Sequence, residues 1–260
     1  MAPPPAEVVI TRATAESRAL RRALRAAGFA PVSLPALALR PEPAMSAAAL
    51  AQRLARLDAL VALSPAAVRF ARLLLPRPAL PAGVLRLAVG AASARALARW
   101  AGGPVRHGRP PGSEGLLALP ELAEPAGMRV GLLGAPGGRE LIAETLAARG
   151  AGVEPIPVYR RDRARWDRRH RARLAALERP LVLLSSVEAL RALLDLAGAD
   201  RHRLLSGTAV VSSARLARQA GEAGFARVLL AGGPHPRDWL RALCGEGRPA
   251  TMPGGSGTRR

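Results

Sequence analysis

At 260 residues, 49% hydrophobic and 22% charged, the chain can bury one large core or two modest ones. All 39 basic residues are arginine, which with abundant Ala, Leu, Gly and Pro points to GC-rich codons, yet the formal charge of +20 still attracts nucleic acid, anionic membrane or an acidic small molecule. Cys244 is the only cysteine, which excludes an internal disulfide and a cysteine metal cluster; 3% aromatic content argues against stacked single-strand binding; and no apolar run approaches the ~18 residues of a bilayer span. The start, "MAPPPAEVVITR", has no charged segment leading into an apolar stretch, so a signal peptide is not expected and the expected location is cytoplasmic.

In chain order, short β-branched runs alternate with helix-period stretches. "EVVIT" (7–11) precedes an arginine-rich amphipathic stretch (14–27) that stops at Gly28. "LDALVAL" (57–63) precedes "SPAAVRFARLLL", where Ser64 fits an N-cap and Pro65 the first helical position. "LRLAVG" (85–90) leads into "AASARALARWAGG", and "MRVGLLG" (128–134) into "GGRELIAETLAARG". "PLVLLSS" (180–186) leads into "VEALRALLDLAG", and "TAVVSS" (208–213) into "ARLARQAGEAG". This alternation predicts an α/β chain with parallel sheets covered by helices. "GPVRHGRPPGSEG" (103–115) reads as a loop, and 245–260 as a disordered low-complexity tail.

The chain also repeats itself. "DALVALS" (58–64) aligns with "RPLVLLS" (179–185) at an offset of 121, and "LRAAGFAPVSLP" (24–35) with "LAARGAGVEPIP" (146–157) at 122. "AVGAASARALARWAG" (88–102) aligns with "AVVSSARLARQAG" (209–221) at 119 to 121. Two similar halves follow, with ligand expected at the carboxyl ends of their strands, in a cleft between the halves.

Several residues carry a chemical and a bland reading side by side. The turn "GAPGGRE" (134–140) is either an anion cradle at a helix start or an ordinary turn; it matches neither the dinucleotide fingerprint nor the P-loop. Ser64, Ser93, Ser185, Ser186, Ser212 and Ser213 fall where strand gives way to helix. They read as N-caps, Ser185 with Glu188 as a capping box, and as a set they also make a carboxylate-binding surface. Arg12, after Thr11 at the end of the first strand, fits bidentate carboxylate binding or a surface ion pair. The run from Arg160 to Arg173 holds eight arginines and reads as a solvated helix face. His107, His170, His202 and His235 lack metal-ligand spacing, so no metal site is expected. Tyr159, the one tyrosine, is either packed at a strand edge or aimed at a ligand.

Taken together, "VVITRATAESRALRRALRAAGFAPVSLPAL", "LVALSPAAVRF", "AVGAASARAL", "GSEGLLAL", "GRELIAETLAARGAGVEPIPVYRR" and "LVLLSSVEALRALL" resemble the uroporphyrinogen-III synthase family, from about residue 7 to 243. The resemblance implies two flavodoxin-like domains with parallel sheets, joined by a two-stranded linker near 34–41 and 153–161. Domain 1 would be discontinuous, 1–40 plus 158–244, with domain 2, 41–157, inserted. Prolines 35, 155 and 157 suit such exposed strands. The implied activity is that of a cyclising lyase. It would dehydrate and close hydroxymethylbilane, an acidic linear tetrapyrrole with eight carboxylates, to uroporphyrinogen III with inversion of ring D. No cofactor is implied, and the chain would act as a monomer without specific nucleic acid or membrane. Matching positions nominate Tyr159 as catalytic and Thr11, Arg12, Ser64, Ser93, Ser113, Glu114, Gly138, Arg139 and Ser185 as substrate-binding. The sequence departs from the family pattern at Ser93, where threonine is common, and at "VVSSA" (210–214), where some members carry glycine and threonine. A non-catalytic binding or regulatory module for an acidic small molecule, and a basic nucleic-acid-binding protein, are the rival readings.

In the second linking strand, alternation predicts that Val158 and Tyr159 point to opposite faces, so that if Val158 packs on a domain Tyr159 faces the cleft.

Overall fold

The computed structural model describes residues 5–13, 16–137, 140–233, 235–246 and 248–249. Along the chain come β1 (Glu7–Ile10), α1 (Arg18–Ala26), β2 (Ala30–Ser33) and β3 (Leu37–Pro41). Next are α2 (Ala47–Leu54), β4 (Ala59–Ala62), α3 (Pro65–Leu74), β5 (Leu85–Ala88), α4 (Ala91–Ala101) and β6 (Arg106–His107). They are followed by α5 (Ser113–Leu117), β7 (Arg129–Gly134), α6 (Glu140–Ala148), β8 (Gly152–Pro157), β9 (Tyr159–Arg163) and α7 (Arg168–Ala175). The last part holds β10 (Leu181–Leu184), α8 (Val187–Ala197), α9 (Arg201–Leu205), β11 (Thr208–Val211), α10 (Ala214–Glu222), β12 (Arg227–Leu230), α11 (Pro236–Arg241) and β13 (Arg248–Pro249).

These elements form two compact units. One comprises the chain up to Ala38 together with the chain from Asp162 onward; the other is Leu39–Arg161. The chain passes between them through β3 and β9, which pair as a two-stranded sheet. In the first unit the strand order is β13-β12-β11-β10-β1-β2, parallel except for β13. Read from β2, its parallel part is the doubly wound order 2-1-3-4-5. The second unit has the order β6-β5-β4-β7-β8, all parallel. Aligned by the sequence repeat, β4 corresponds to β10 and β8 to β2, so the two sheets match strand for strand while the chain enters them at different points.

Successive strand residues feed opposite faces, as the pleat requires. In the first unit Val9, Val182, Leu184, Val211 and Val228 pack against α7, α8 and α10, while Val8, Ile10, Leu183 and Val210 pack against α1 and the Trp239 side chain of α11. In the second, Leu60, Ala62 and Leu133 face α3 and α4, and Val61, Leu87, Val130 and Leu132 face α5 and α6. Burial on both faces explains the unbroken apolar runs of β4 and β10. Pro155 and Pro157 belong to β8, opposite Leu132 and Gly134, and not to the linking ladder. The sheet edge tolerates them for the reason the linker would have done.

Helix starts follow side-chain chemistry. Ser64 caps α3, its Oγ accepting from the N–H of Ala67 at 3.1 Å, with Pro65 at the first helical position. Asp167 and His170 form the capping box of α7, and the His170 N–H holds the Asp167 carboxyl below its usual range. After β10 the cap is Ser186, which accepts from Ala189 N–H at 3.1 Å, and not Ser185 as the S-x-x-E spacing suggested. The strand stays extended one residue longer, and Ser185 instead offers its carbonyl to Ser212 Oγ at 3.4 Å. Ser186→Ala is therefore expected to cost about 1 kcal/mol in urea unfolding, whereas Ser185→Ala leaves the midpoint unchanged.

Candidate active site

A doubly wound sheet binds ligands at the carboxyl ends of the two adjacent strands whose following helices cover opposite faces. In the first unit those strands are β1, followed by α1, and β10, followed by α8. Thr11 and Arg12 end the first, and Ser185 ends the second. Thr11 is buried, and its Oγ1 donates to the Leu183 carbonyl at 2.7 Å. Its hydroxyl proton thus braces β1 to β10, leaving Arg12 as the cationic donor at this point. Arg12 is half-buried; burial lowers its pKa, and the nearby Glu16 carboxylate partly opposes the shift. A guanidinium short of water gains most from an anion.

In the second unit the equivalent strands are β4, followed by α3, and β7, followed by α6. Ser64 stands at the end of the first. The turn after β7 is described only to Gly137; Gly138 and Arg139 lie outside the described residues. Tyr159, the first residue of β9, reaches this edge two residues after β8. Its hydroxyl lies 3.3 Å from Ser64 Oγ, and its ring stacks on Phe70 of α3 at 5.4 Å and 15°. Tyr159 is 4% exposed and Val158 is fully buried, both in the core beneath α3 and α4. The expected alternation fails because the chain is not one strand here. Val158 N–H still bonds to the Gly134 carbonyl at 3.1 Å, outside β8 proper, and β9 begins at the next residue.

Ser93 is buried in the first turn of α4 and does not cap it; the cap residue is Gly90, with no side-chain bond. A Cβ at Gly90 would lie 3.3 Å from Pro111, so the glycine admits the loop that follows β6. This loop folds over the end of β5: Gly108 N–H bonds to Ala88 O at 3.3 Å and Gly112 N–H to Val89 O at 2.9 Å. It delivers Ser113, half-buried, and Glu114, exposed, at the start of α5. Sequence reading missed Gly90 and the paired glycines 108 and 115; "AVGAAS" and the "HGRPPGSEG" spacing were their only signals.

Thus Thr11, Arg12 and Ser185 share one carboxyl edge. Ser64, Tyr159, Ser113 and Glu114 share the other, with Ser93 inside the helix that follows β5. Among the described residues no group of three or more His, Cys, Asp or Glu is placed to hold a metal ion, and no helix is long and apolar enough to cross a membrane.

Two doubly wound units, each with hydroxyls and helix starts at its switch point, define a duplicated flavodoxin-like α/β protein. The family model described as uroporphyrinogen-III synthase HemD matches residues 18–241. The uroporphyrinogen-III synthase of Salmonella typhimurium is 36% identical over 248 residues, covering 91% of this chain and 99% of that protein. The Escherichia coli enzyme of the same name is 35% identical with the same coverage. The chain belongs to the uroporphyrinogen-III synthase family. The crystal structure of the Helicobacter pylori uroporphyrinogen-III synthetase shares the fold, with a TM-score of 0.60 at 14% identity over 92% of this chain and 98% of that one.

Proposed function

We propose that the chain is a cyclising lyase that dehydrates hydroxymethylbilane and closes it to uroporphyrinogen III with inversion of ring D. The observation that carries this reading is the family relationship, which extends over nearly the whole chain and over whole relatives. The reaction asks little of acid–base groups. The pyrrole nitrogen lone pair expels the hydroxymethyl oxygen, which takes up a proton and leaves as water, and the substituted carbon of the last ring attacks the freed methylene to give a spiro intermediate. The older bond from that carbon to its bridge methylene then breaks, and this methylene bonds to the ring's free carbon, which loses its proton. The demand is to hold a flexible octa-anion in that geometry. Arg12, the hydroxyls of Ser64, Ser113 and Ser185, and the amides at the helix starts are donors suited to carboxylates. Tyr159 is assigned the hydrogen bond to the departing hydroxyl, with Ser64 orienting the phenol.

The direct test is to incubate the protein with fresh hydroxymethylbilane and separate the porphyrin isomers. Isomer III is expected; isomer I alone, which forms spontaneously, would sink the proposal. Charge supplies a second test. The Michaelis constant is expected to rise with salt, because exposed attraction is screened beyond roughly 8–10 Å near physiological ionic strength. Arg12→Ala raises it further at low salt and flattens the dependence. An unchanged constant in the variant at low salt would make Arg12 a surface ion pair. Duplex DNA is expected to bind weakly and to be released by modest salt.

A further inference from the structure

The outer edge of the first sheet carries a feature that the proposed reaction does not use. Beside the edge strand β2, between α1 and α7, lies a cavity of about 390 Å³ lined by Arg21, Arg25, Ser33, His170 and Arg173 together with Pro31 and Val32. All of these belong to one unit. Two polar atoms here are buried without a hydrogen-bond partner, Arg21 Nε and Ser33 Oγ. Buried polar groups are almost always satisfied, and each orphan costs stability. The two helices supply no counter-charge: α1 and α7 contain no acidic residue from Arg18 to Ala26 or from Arg168 to Ala175. None of the three arginines has a carboxylate partner among the described residues. Asp167, the residue that caps α7, is already held by the N–H and ring of His170.

The walls are fixed. Trp166 Nε1 donates to the Pro35 carbonyl at 2.9 Å, tying the lead-in of α7 to the chain just beyond β2, and the His170 ring stacks on Trp166 at 6.3 Å. His170 Nδ1 is engaged by Asp167 at 2.6 Å, which leaves Nε2 as its other polar atom. Backbone direction adds to the picture. Ala30 and Leu34 turn their N–H groups inward to β1, so Ser33, between them in register, turns its N–H outward from the edge.

We infer that this cavity is a binding site for a phosphate-class oxyanion, held by Arg21, Arg25 and Arg173 with the Ser33 hydroxyl as a neutral donor. Three guanidinium groups and a hydroxyl suit a compact dianion, because each planar fork can bond two of its oxygens. The volume exceeds that of inorganic phosphate and lies within the range of small-ligand pockets, so the phosphoryl group of a small metabolite fits the same chemistry. The inference is independent of the lyase reading.

Calorimetric titration of the full chain in low-salt, anion-poor buffer tests it, with inorganic phosphate in one arm and glycerol 3-phosphate in the other. One saturable site with a dissociation constant below about 1 mM is expected. Arg21→Met and Ser33→Ala each weaken it about tenfold or more, while Arg191→Ala, an exposed arginine on α8, leaves it unchanged. Tighter binding of the ester identifies a phosphorylated metabolite as the source; equal or weaker binding identifies the free ion. Thermal melts provide a second readout: phosphate raises the wild-type melting temperature, and at the same concentration raises that of Arg21→Met distinctly less. Phosphate binding that is absent, or that is equal in wild type, Arg21→Met and Ser33→Ala, would overturn the assignment.

Discussion

Tyr159→Phe is expected to lower turnover of hydroxymethylbilane by about ten- to a hundredfold, the low side of what a positioned proton donor contributes. The effect is modest because the pyrrole supplies most of the drive to expel the hydroxyl. The phenylalanine keeps the stack on Phe70 and the burial beneath α3. What is lost is one hydrogen bond to Ser64, worth about 0.5–1.5 kcal/mol, and Ser64 continues to cap α3 through Ala67. Turnover and stability therefore separate cleanly. A slow variant with a near-native melting curve assigns the phenol to chemistry. A variant with the wild-type rate and isomer ratio would confine Tyr159 to packing and leave the reaction to positioning.

Gly115→Ala is expected to have the larger effect on the fold, costing about 3 kcal/mol or more. A Cβ at this residue would run into the Pro110 carbonyl oxygen and reach 3.0 Å from the Arg109 nitrogen, and both are backbone atoms that no rotamer change can move. Gly108 faces the same stretch from the other side, against Leu116 N and Gly115. The loop that carries Ser113 and Glu114 thus depends on two backbones in contact. Gly137→Ala is the contrast: its φ of 67° strains an alanine, but the space is open, so a cost of only about 1–2 kcal/mol is expected. Urea unfolding of the two variants measures the difference; equal midpoints would show that the loop can part without cost.

Much of the architecture was legible in the residues. Two-sided burial gave β4, β7 and β10 their unbroken apolar runs, serine and proline marked the start of α3, and the offset near 121 disclosed two matching sheets. What escaped was decided by single residues. Ser185 and Ser186 are chemically equivalent as caps, and the choice rests on how far β10 stays extended. Strand alternation does not carry from Val158 to Tyr159, because Val158 lies between β8 and β9 and both side chains join one core. Ser93 matched a family position, but with Gly90 opening α4 it falls inside the helix. The orphaned Arg21 and Ser33 left no periodic trace, since nothing in the spacing tells which polar atoms lack partners.

The split of the first unit along the chain sets an order of manufacture. Val9 pairs with Val182, so β1 and β2 leave the ribosome with their central neighbour 173 residues away. Leu39–Arg161 meanwhile contains every strand of its own five-stranded sheet. At a synthesis rate of roughly 5–20 residues per second, the early strands wait on the order of ten seconds for β10. The inserted unit can close first, leaving the first two strands in need of shelter until β10 arrives. Protease digestion of arrested nascent chains would reveal that schedule: with arrest late enough for Arg161 to clear the exit tunnel but before β10 emerges, protection is expected over Leu39–Arg161 and not over β1 and β2. Simultaneous protection of both would show that the halves are made as one.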